Sequence, residues 1–489
     1  MGIRIAILTD THLDDAPTPT GRRGDVADVL LRRAVFRLNR LTHPDVALLL
    51  GDVVEDGEGP RAADGLLRIR RVLDETRAPA IAIPGNHDGG EEAFYRAFDR
   101  PPEFLDVSGV RFVPFIDPTD GNHNATRTEP NMRRMDAVRA DGFTGPVVAV
   151  QHVPVFPPGA CDCPFNYTNA GEILESMRRN GIVLALAGHI HGGLGPVRWD
   201  GAACVAGPCI SEPPFVFFEV RLDGTDISLV RHQMRMRPEL ALVDTHVHTQ
   251  FAYCSRNMNI ERALDLADAF GLAGLGFSEH SDQLYFERQF SFSTECYNGG
   301  IDVARDEDRR VDDYLAAAQA AGVPPAHTGL EAECDARGRP MVRAEDRERV
   351  GYLIGGLHNL PALLRKPYDY ARACEEFPAL LERFLSSGIA VLAHPFRLFA
   401  RRGLPVPEHL FPDVVRLLRA AGVAAEINCR ANAPPPEFVR MCIEAGVKLS
   451  LGSDAHNLCE IGEFAPHLAL LEQIGYDGDL WDILVDPRG

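Results

Sequence analysis

The feature that most constrains this chain is a recurring juxtaposition: a short apolar run, broken only by Arg4 in the first of them, that ends in a motif of histidine and carboxylate residues. Ile3–Leu8 runs into Asp10-Thr11-His12, Val46–Leu50 into Gly51-Asp52, and Ala80–Ile83 into Gly85-Asn86-His87-Asp88. Val147–Val150 leads to His152, and Val183–Ala187 to Gly188-His189-Ile190-His191. Continuous apolar runs of this length are what strands covered on both faces require. Amphipathic helices are expected between them. Open α/β sheets build their sites beyond the carboxyl ends of the strands, where these motifs stand. After His191 the texture becomes rich in Gly and Pro, and Pro214–Arg221 and Ile227–His232 predict a closing run of antiparallel strands.

Around Arg235–Glu239 the chain turns polar, carries Pro238, and then the pattern restarts. Strand-like runs lead into Asp244-Thr245-His246-Val247-His248, Ser278-Glu279-His280, Glu331-Ala332-Glu333, His358, His394-Pro395, Glu426-Ile427-Asn428 and Asp454-Ala455-His456. The helical stretches between them stop at Gly271, Gly322, Gly388, Gly422 and Gly446, glycine after an amphipathic run being a helix stop signal. Seven strand-then-helix units, each delivering a polar group, predict a (β/α) barrel with its site at the C-terminal face. The two halves share no motif order. The expectation is an α/β chain of two domains, residues 1–236 and 240–489, and not a duplication.

A length of 489 residues also exceeds what one core supports. Of 17 histidines, eleven sit in these motifs; His43, His123, His232, His327, His409 and His467 read as incidental. The formal net charge of −20 argues against sustained contact with a nucleic acid backbone. A small phosphorylated substrate drawn to a metal centre stays compatible, because the field of the ions dominates locally. The arginines at Arg22–Arg23, Arg68–Arg71 and Arg133–Arg134 read as solvated helix faces. Eleven cysteines, an odd count, read as reduced thiols and not as a disulfide framework, with Cys161 and Cys163 a loop pair. No apolar run approaches the ~18 residues of a membrane span, and the N-terminal strand does not resemble a signal peptide. A cytosolic protein without a membrane partner is expected; homo-oligomerisation is left open.

A dinuclear hydrolytic centre needs a carboxylate shared by two ions, His or Asn to complete each shell, and an acid for the leaving group. The first half supplies Asp10, His12 and His191 for one ion, and Asn86, His152 and His189 for the other, with Asp52 as the bridge. His87 is free to protonate the leaving oxygen, and Asp88 is expected to orient it. Such a centre lowers the pKa of a water from ~15.7 toward ~7, so that it attacks phosphorus in line.

These five blocks (D-x-H, GD, GNHD, H and GHxH, in order) resemble the calcineurin-like metallophosphoesterase family over residues 1–235, closest to its cyclic-nucleotide and glycerophosphodiester phosphodiesterase branch. The resemblance implies a four-layer αββα sandwich holding two ions. From residue 240 onward the H-x-H, EH, GLE, H, HP, EIN and SDAH blocks resemble the polymerase-and-histidinol-phosphatase (PHP) family. That implies a distorted (β/α)7 barrel around a trinuclear centre, with two or three ions here. Carried over, His246, His248, Glu331 and Asp454 hold the first ion, Glu331 bridges to a second held by His358 and His394, and His280 and His456 hold the third. The pattern departs at Cys254, where the family has His or Asp: either the thiolate serves as a softer ligand or the third ion binds weakly. Arg397 and Arg430 are candidate phosphate donors, suited by the planar guanidinium fork. The Gly355-Gly356 pair reads as tight strand packing.

Together these readings predict a bifunctional, metal-dependent phosphoesterase using Mn, Fe or Zn. Its N-terminal domain would hydrolyse a phosphodiester, cyclic ones included, and its C-terminal domain a phosphomonoester of a small molecule or nucleotide. The alternatives are a nuclease acting on oligonucleotides, or one catalytic domain joined to a metal-stabilised binding or regulatory module.

Overall fold

The computed structural model describes every residue except Met1, Asn432 and Gly489. The chain divides into two compact units between Arg235 and Met236.

The first unit is built on two sheets. In the first, β1 (Ile3–Leu8), β2 (Val46–Leu50) and β3 (Ala80–Ile83) run parallel. The second holds β4 (Leu105–Val107), β5 (Val110–Pro114), β6 (Val147–Val150), β7 (Ile182–Ala187), β8 (Leu194–Trp199) and β9 (Ala202–Ala206), in the order β4-β5-β6-β7-β9-β8. The chain then returns to the first sheet as β10 (Val216–Asp223) and β11 (Asp226–Gln233), an antiparallel pair laid against β1. This is the closing antiparallel run expected from the sequence. Side chains alternate across each strand, so Ile3, Ile5 and Ile7 of β1 pack on Val148, Leu184 and Val205 of the opposite sheet. Met135, Ile173 and Met177 of helices Glu129–Asp136 and Ala170–Asn180 cover the outer face of the second sheet. Helices Ala27–Arg37 and Ala62–Leu73 accompany the first sheet. The four layers, αββα, leave the carboxyl ends of β1, β2, β3, β6 and β7 to carry the motifs.

The second unit is a barrel of seven parallel strands in sequential order: β12 (Val243–Val247), β13 (Gly274–His280), β14 (Thr328–Glu333), β15 (Leu353–Gly356), β16 (Val391–Ala393), β17 (Ala424–Asn428) and β18 (Leu449–Gly452). The ring closes beyond the strand ends, where Val247 bridges Ala455 and the His248 N–H donates to the Ala455 carbonyl at 3.1 Å. The stop signals act as expected: helix Phe411–Ala421 ends on Gly422 in the left-handed region, φ 67°. Gly356 has a further duty. A Cβ there would come within 2.7 Å of Glu331 Oε1 and 2.9 Å of the His358 ring, so the glycine makes room for the buried carboxylate. No helix is long and apolar enough to cross a membrane among the described residues.

Candidate metal centres

In the first unit the strand ends gather one buried cluster. Nε2 of His12 and Nε2 of His191 lie 3.1 Å apart, and both are 3.8 Å from Asp10 Oδ1. On the other side, His152 Nε2 lies 3.1 Å from Asn86 Oδ1, 3.1 Å from His189 Nδ1 and 3.3 Å from Asp52 Oδ2. The same Asp52 oxygen is 3.8 Å from His12, so Asp52 stands between the two groups. The two sets coincide with those read from the sequence.

Building this cluster costs backbone strain. Asp10 (φ 54°), His12 (φ 44°), Asp52 (φ 49°) and His189 (φ 70°) are all in the left-handed region, as are His394 (φ 31°) and Asp454 (φ 53°) in the barrel. Non-glycine residues adopt such conformations rarely, and the cost is characteristically carried at functional sites. Gly85 is required for a different reason, close approach: a Cβ there would meet Asp52 Oδ1 at 2.2 Å.

Three of the four candidate ligand imidazoles are held from behind. His12 Nδ1 faces Glu55 Oε2 at 2.8 Å, His191 Nδ1 faces Glu212 Oε1 at 2.7 Å, and His152 Nδ1 donates to the Leu50 carbonyl at 2.6 Å. Partners of this kind fix the tautomer and leave the other nitrogen for an ion. Arg22, read from the sequence as a solvated residue, instead clamps Glu55 at 2.5 Å. Asp88 departs from expectation too. Its oxygens accept the N–H groups of Val53, Val54 and Gly85 at 2.7, 3.1 and 2.8 Å, so it ties the two motif loops together and does not orient His87. Burial and the nearby Asp52 push its carboxyl up to about 7, with the backbone donors opposing. The His87 ring is oriented by the Glu55 carbonyl, which accepts from Nδ1 at 2.8 Å.

The barrel mouth holds a second cluster centred on Glu331. Its Oε2 lies 3.5 Å from His246, 3.6 Å from His248 and 2.7 Å from His280; its Oε1 lies 2.9 Å from His394 and 3.6 Å from His358. Asp454 Oδ1 is 3.2 Å from His248 and 3.8 Å from His246. His280 and His456 meet at 3.2 Å, and with His248 they form a third compact group. Cys254 sits beside this group. The residue is solvent-exposed, yet its Sγ lies among protein atoms; that desolvation raises the thiol, and the His280 and His456 imidazoles more than reverse it, to about 5. Arg397 reaches into the mouth and pairs with Asp454 and Asn428, while Arg430 lies 3.4 Å from Glu460 with Asp454 in its field.

Again carboxylates back the imidazoles: Glu426 behind His246 at 2.6 Å, Glu279 behind His248 at 3.2 Å, and Glu333 behind His358. None was assigned from sequence, although all three lie inside the motifs and alternation along a strand sends Glu331 and Glu333 to the same face. Glu55 and Glu212 come from loops without a fixed spacing.

Both clusters fit divalent ions. Asp10 Oδ1 and His246 Nε2 are buried without a hydrogen-bond partner among the described residues. Imidazole nitrogens approach one another and several carboxylates without enough protons to satisfy all, a conflict that shared cations remove. Without ions the clusters retain protons instead. Burial lowers His152, but Asp52 and Asp10 outweigh it and hold the imidazole up at about 10. Burial raises Asp52, and His152 and His12 hold it well below the usual carboxylate range.

Comparison with known proteins agrees with this geometry. Residues 3–193 match the family model described as calcineurin-like phosphoesterase, and residues 244–430 match the PHP domain. The chain joins a calcineurin-like phosphoesterase domain to a PHP domain. Both belong to metal-dependent phosphoesterase families, so the chain is a metal-dependent phosphoesterase. Among relatives, a protein of Deinococcus radiodurans named "Probable histidinol-phosphatase" is 27% identical over 270 residues, 48% of this chain and 94% of that protein. A "Probable cyclic nucleotide phosphodiesterase" of Synechococcus sp. is 41% identical over 91 residues, 19% of this chain and only 33% of that protein. A solved dimetal phosphatase from Danio rerio aligns at 18% identity and a TM-score of 0.40, across 47% of this chain and 98% of that one.

Proposed function

We propose that the phosphoesterase domain hydrolyses a phosphodiester, cyclic ones included, and that the PHP domain removes phosphate from a monoester, so that one chain can open a diester and clear the phosphate left behind. The observation that carries this reading is the difference in what surrounds the two clusters. A cleft of about 820 Å³ reaches Asn86 and His152 of the first cluster, within the range that small-molecule sites occupy. In the barrel, two guanidinium groups approach Asp454 at the mouth, an arrangement suited to the dianion of a monoester. The names of the two relatives, a phosphodiesterase and a phosphatase, point the same way.

In the first site Asp10, His12 and His191 would hold one ion, Asn86, His152 and His189 the other, with Asp52 shared. In the barrel His246, His248, Glu331 and Asp454, then His358 and His394, then His280, His456 and Cys254 would hold two or three. Bound Mn, Fe or Zn would supply a nucleophile from water and neutralise phosphate charge. His87, its Nδ1 committed to Glu55, presents Nε2 to protonate the leaving oxygen. Arg397 and Arg430 hold the monoester phosphate. An oligonucleotide substrate is disfavoured by the net charge of −20, and three of the arginines that could form a basic track are held in ion pairs: Arg68 with Asp28, Arg70 with Asp74 and Asp99, and Arg134 with Glu103.

The test is a panel of cyclic nucleotides, nucleoside monophosphates, sugar phosphates and short single strands, with each metal in turn, on the wild type and on Asp52→Ala and Glu331→Ala. Asp52→Ala should abolish diester cleavage alone and Glu331→Ala monoester cleavage alone. Loss of both activities from one substitution, or turnover of oligonucleotides only, would overturn the reading.

A further inference from the structure

His123 reads as incidental in the sequence, yet the fold sets it beside the first cluster. It sits at the tip of a turn whose base is pinned: the Asp120 carboxylate accepts the N–H groups of Asn122 at 2.8 Å and Asn124 at 3.0 Å, Asp120 N–H donates to the Asn124 carbonyl at 2.8 Å, and Thr119 bridges Ala125. There His123 adopts a left-handed φ of 62°. Its ring is exposed, 6.2 Å from the ring of His189 and 6.2 Å from that of Phe165, centroid to centroid. Among the described residues its imidazole has no side-chain hydrogen-bond partner. The same turn walls the cleft, through Pro118, Thr119 and Ala125. His123 therefore stands at the junction between the turn that walls the cleft and His189 of the metal cluster.

The cleft itself is electrically spent. Arg100 pairs with Glu91, Arg134 lies 3.4 Å from Glu103, and Asp117 is bound by buried Arg127 at 2.9 Å. Among the described residues no unpaired cation remains on its wall to meet a second phosphate, while prolines and Ile116 offer rigid apolar surface.

We propose that His123 contacts the substrate at this junction, and that the cleft takes the retained organic group of a diester: an uncharged group of nucleoside size, not a second phosphate. The proposal rests on the diesterase reading of the first site. A pinned, strained turn holds the imidazole ready, so little ordering is required when it donates to the sugar or ester oxygen of the retained group.

The experiment compares two diesters with the same leaving group, thymidine 5′-(4-nitrophenyl) phosphate and methyl 4-nitrophenyl phosphate. It uses the full Mn-loaded chain with the barrel centre silenced by Glu331→Ala. His123→Ala should raise KM for the thymidine ester about tenfold, the loss of roughly one good hydrogen bond, with kcat within about threefold and the methyl ester unchanged. His123→Gln, which keeps a donor, should recover part of the loss, and Pro102→Trp, which narrows the cleft, should act like His123→Ala. Equal changes on both esters, no change, or loss of metal from His123→Ala would overturn the proposal. If the parent hydrolyses neither diester, the diesterase reading fails, and calorimetry with thymidine 5′-monophosphate judges His123 separately. About tenfold weaker binding to His123→Ala supports the contact; equal binding, or none to the parent, overturns it.

Discussion

His87 and Glu55 are joined by a 2.8 Å hydrogen bond from the His87 Nδ1–H to the Glu55 main-chain carbonyl, while the carboxylate of the same Glu55 lies 2.8 Å from His12 Nδ1. One residue thus fixes both the proposed proton donor and a candidate ligand, by different atoms. The two duties are separable by mutation. His87→Ala should lower diester turnover about 10²–10⁴-fold on a poor leaving group, much less on nitrophenyl esters, and keep its metal. Glu55→Gln retains the carbonyl contact and should weaken metal affinity about 10–100-fold while sparing the rate of the fully loaded enzyme. Steady-state kinetics beside elemental analysis checks both; full turnover of a poor leaving group by His87→Ala would remove it from the mechanism.

Metal content should divide between the clusters. Asp52 and Glu331 each stand between two groups of candidate ligands, so Asp52→Ala should cost the chain two ions and Glu331→Ala two or three. The loss in either variant should leave the other cluster loaded, since no ligand is shared. Elemental analysis after reconstitution with Mn, Fe and Zn reads this directly, and a wild-type cluster holding one ion or none would show that the site is misassigned.

Loading the first site should release protons. With its pKa held at about 10, His152 carries a proton at neutral pH in the ion-free chain, and only the deprotonated nitrogen coordinates. The sign follows: affinity should rise with pH, about tenfold per pH unit for each proton displaced, and level off as pH passes about 10. Calorimetric titration in buffers of different ionisation enthalpy should count at least one proton released near pH 7. His152→Ala should bind more weakly with a flatter pH profile; an unchanged slope would place the displaced proton elsewhere.

What the sequence made legible, and what it hid, divides along physical lines. Strands β2, β3 and β6 were readable because burial on both faces demands unbroken apolar runs, and β1 departs from this only at the exposed Arg4. Strand β8 was not, since its face is half exposed and its sequence mixes Gly195, Pro196 and Arg198 into the ladder. The candidate ligands stand in motifs attached to strand ends, where a sequence shows them, whereas the groups that orient them do not, because Glu55, Glu212 and Arg22 act from loops whose approach is set by tertiary packing. Asp88 was misread for a related cause: adjacency to His87 in sequence says nothing of a carboxylate turned to three backbone N–H groups.

Cys254 carries the sharpest prediction. Its Sγ stands with His280 and His456, whose imidazoles favour the thiolate, and thiolate is the form that coordinates. If it completes the third group, bound metal should shield it from alkylation and chelation should expose it. Cys254→Ala should then lower occupancy of that ion and the monoesterase rate together. Cys254→Asp or Cys254→His, restoring an oxygen or nitrogen ligand, should keep or raise activity with Mn, because the harder donor suits that ion better than sulfur does. The bland competitor is a thiol that merely fills space beside Gln283, whose Nε2 lies 3.5 Å from Sγ. On that account Ala is silent for metal, and the larger polar residues destabilise the barrel. Metal content and phosphatase rate of Cys254→Ala, with a melting curve as control, separate the two: unchanged metal and rate in a well-folded variant would mean that the third ion is held without Cys254.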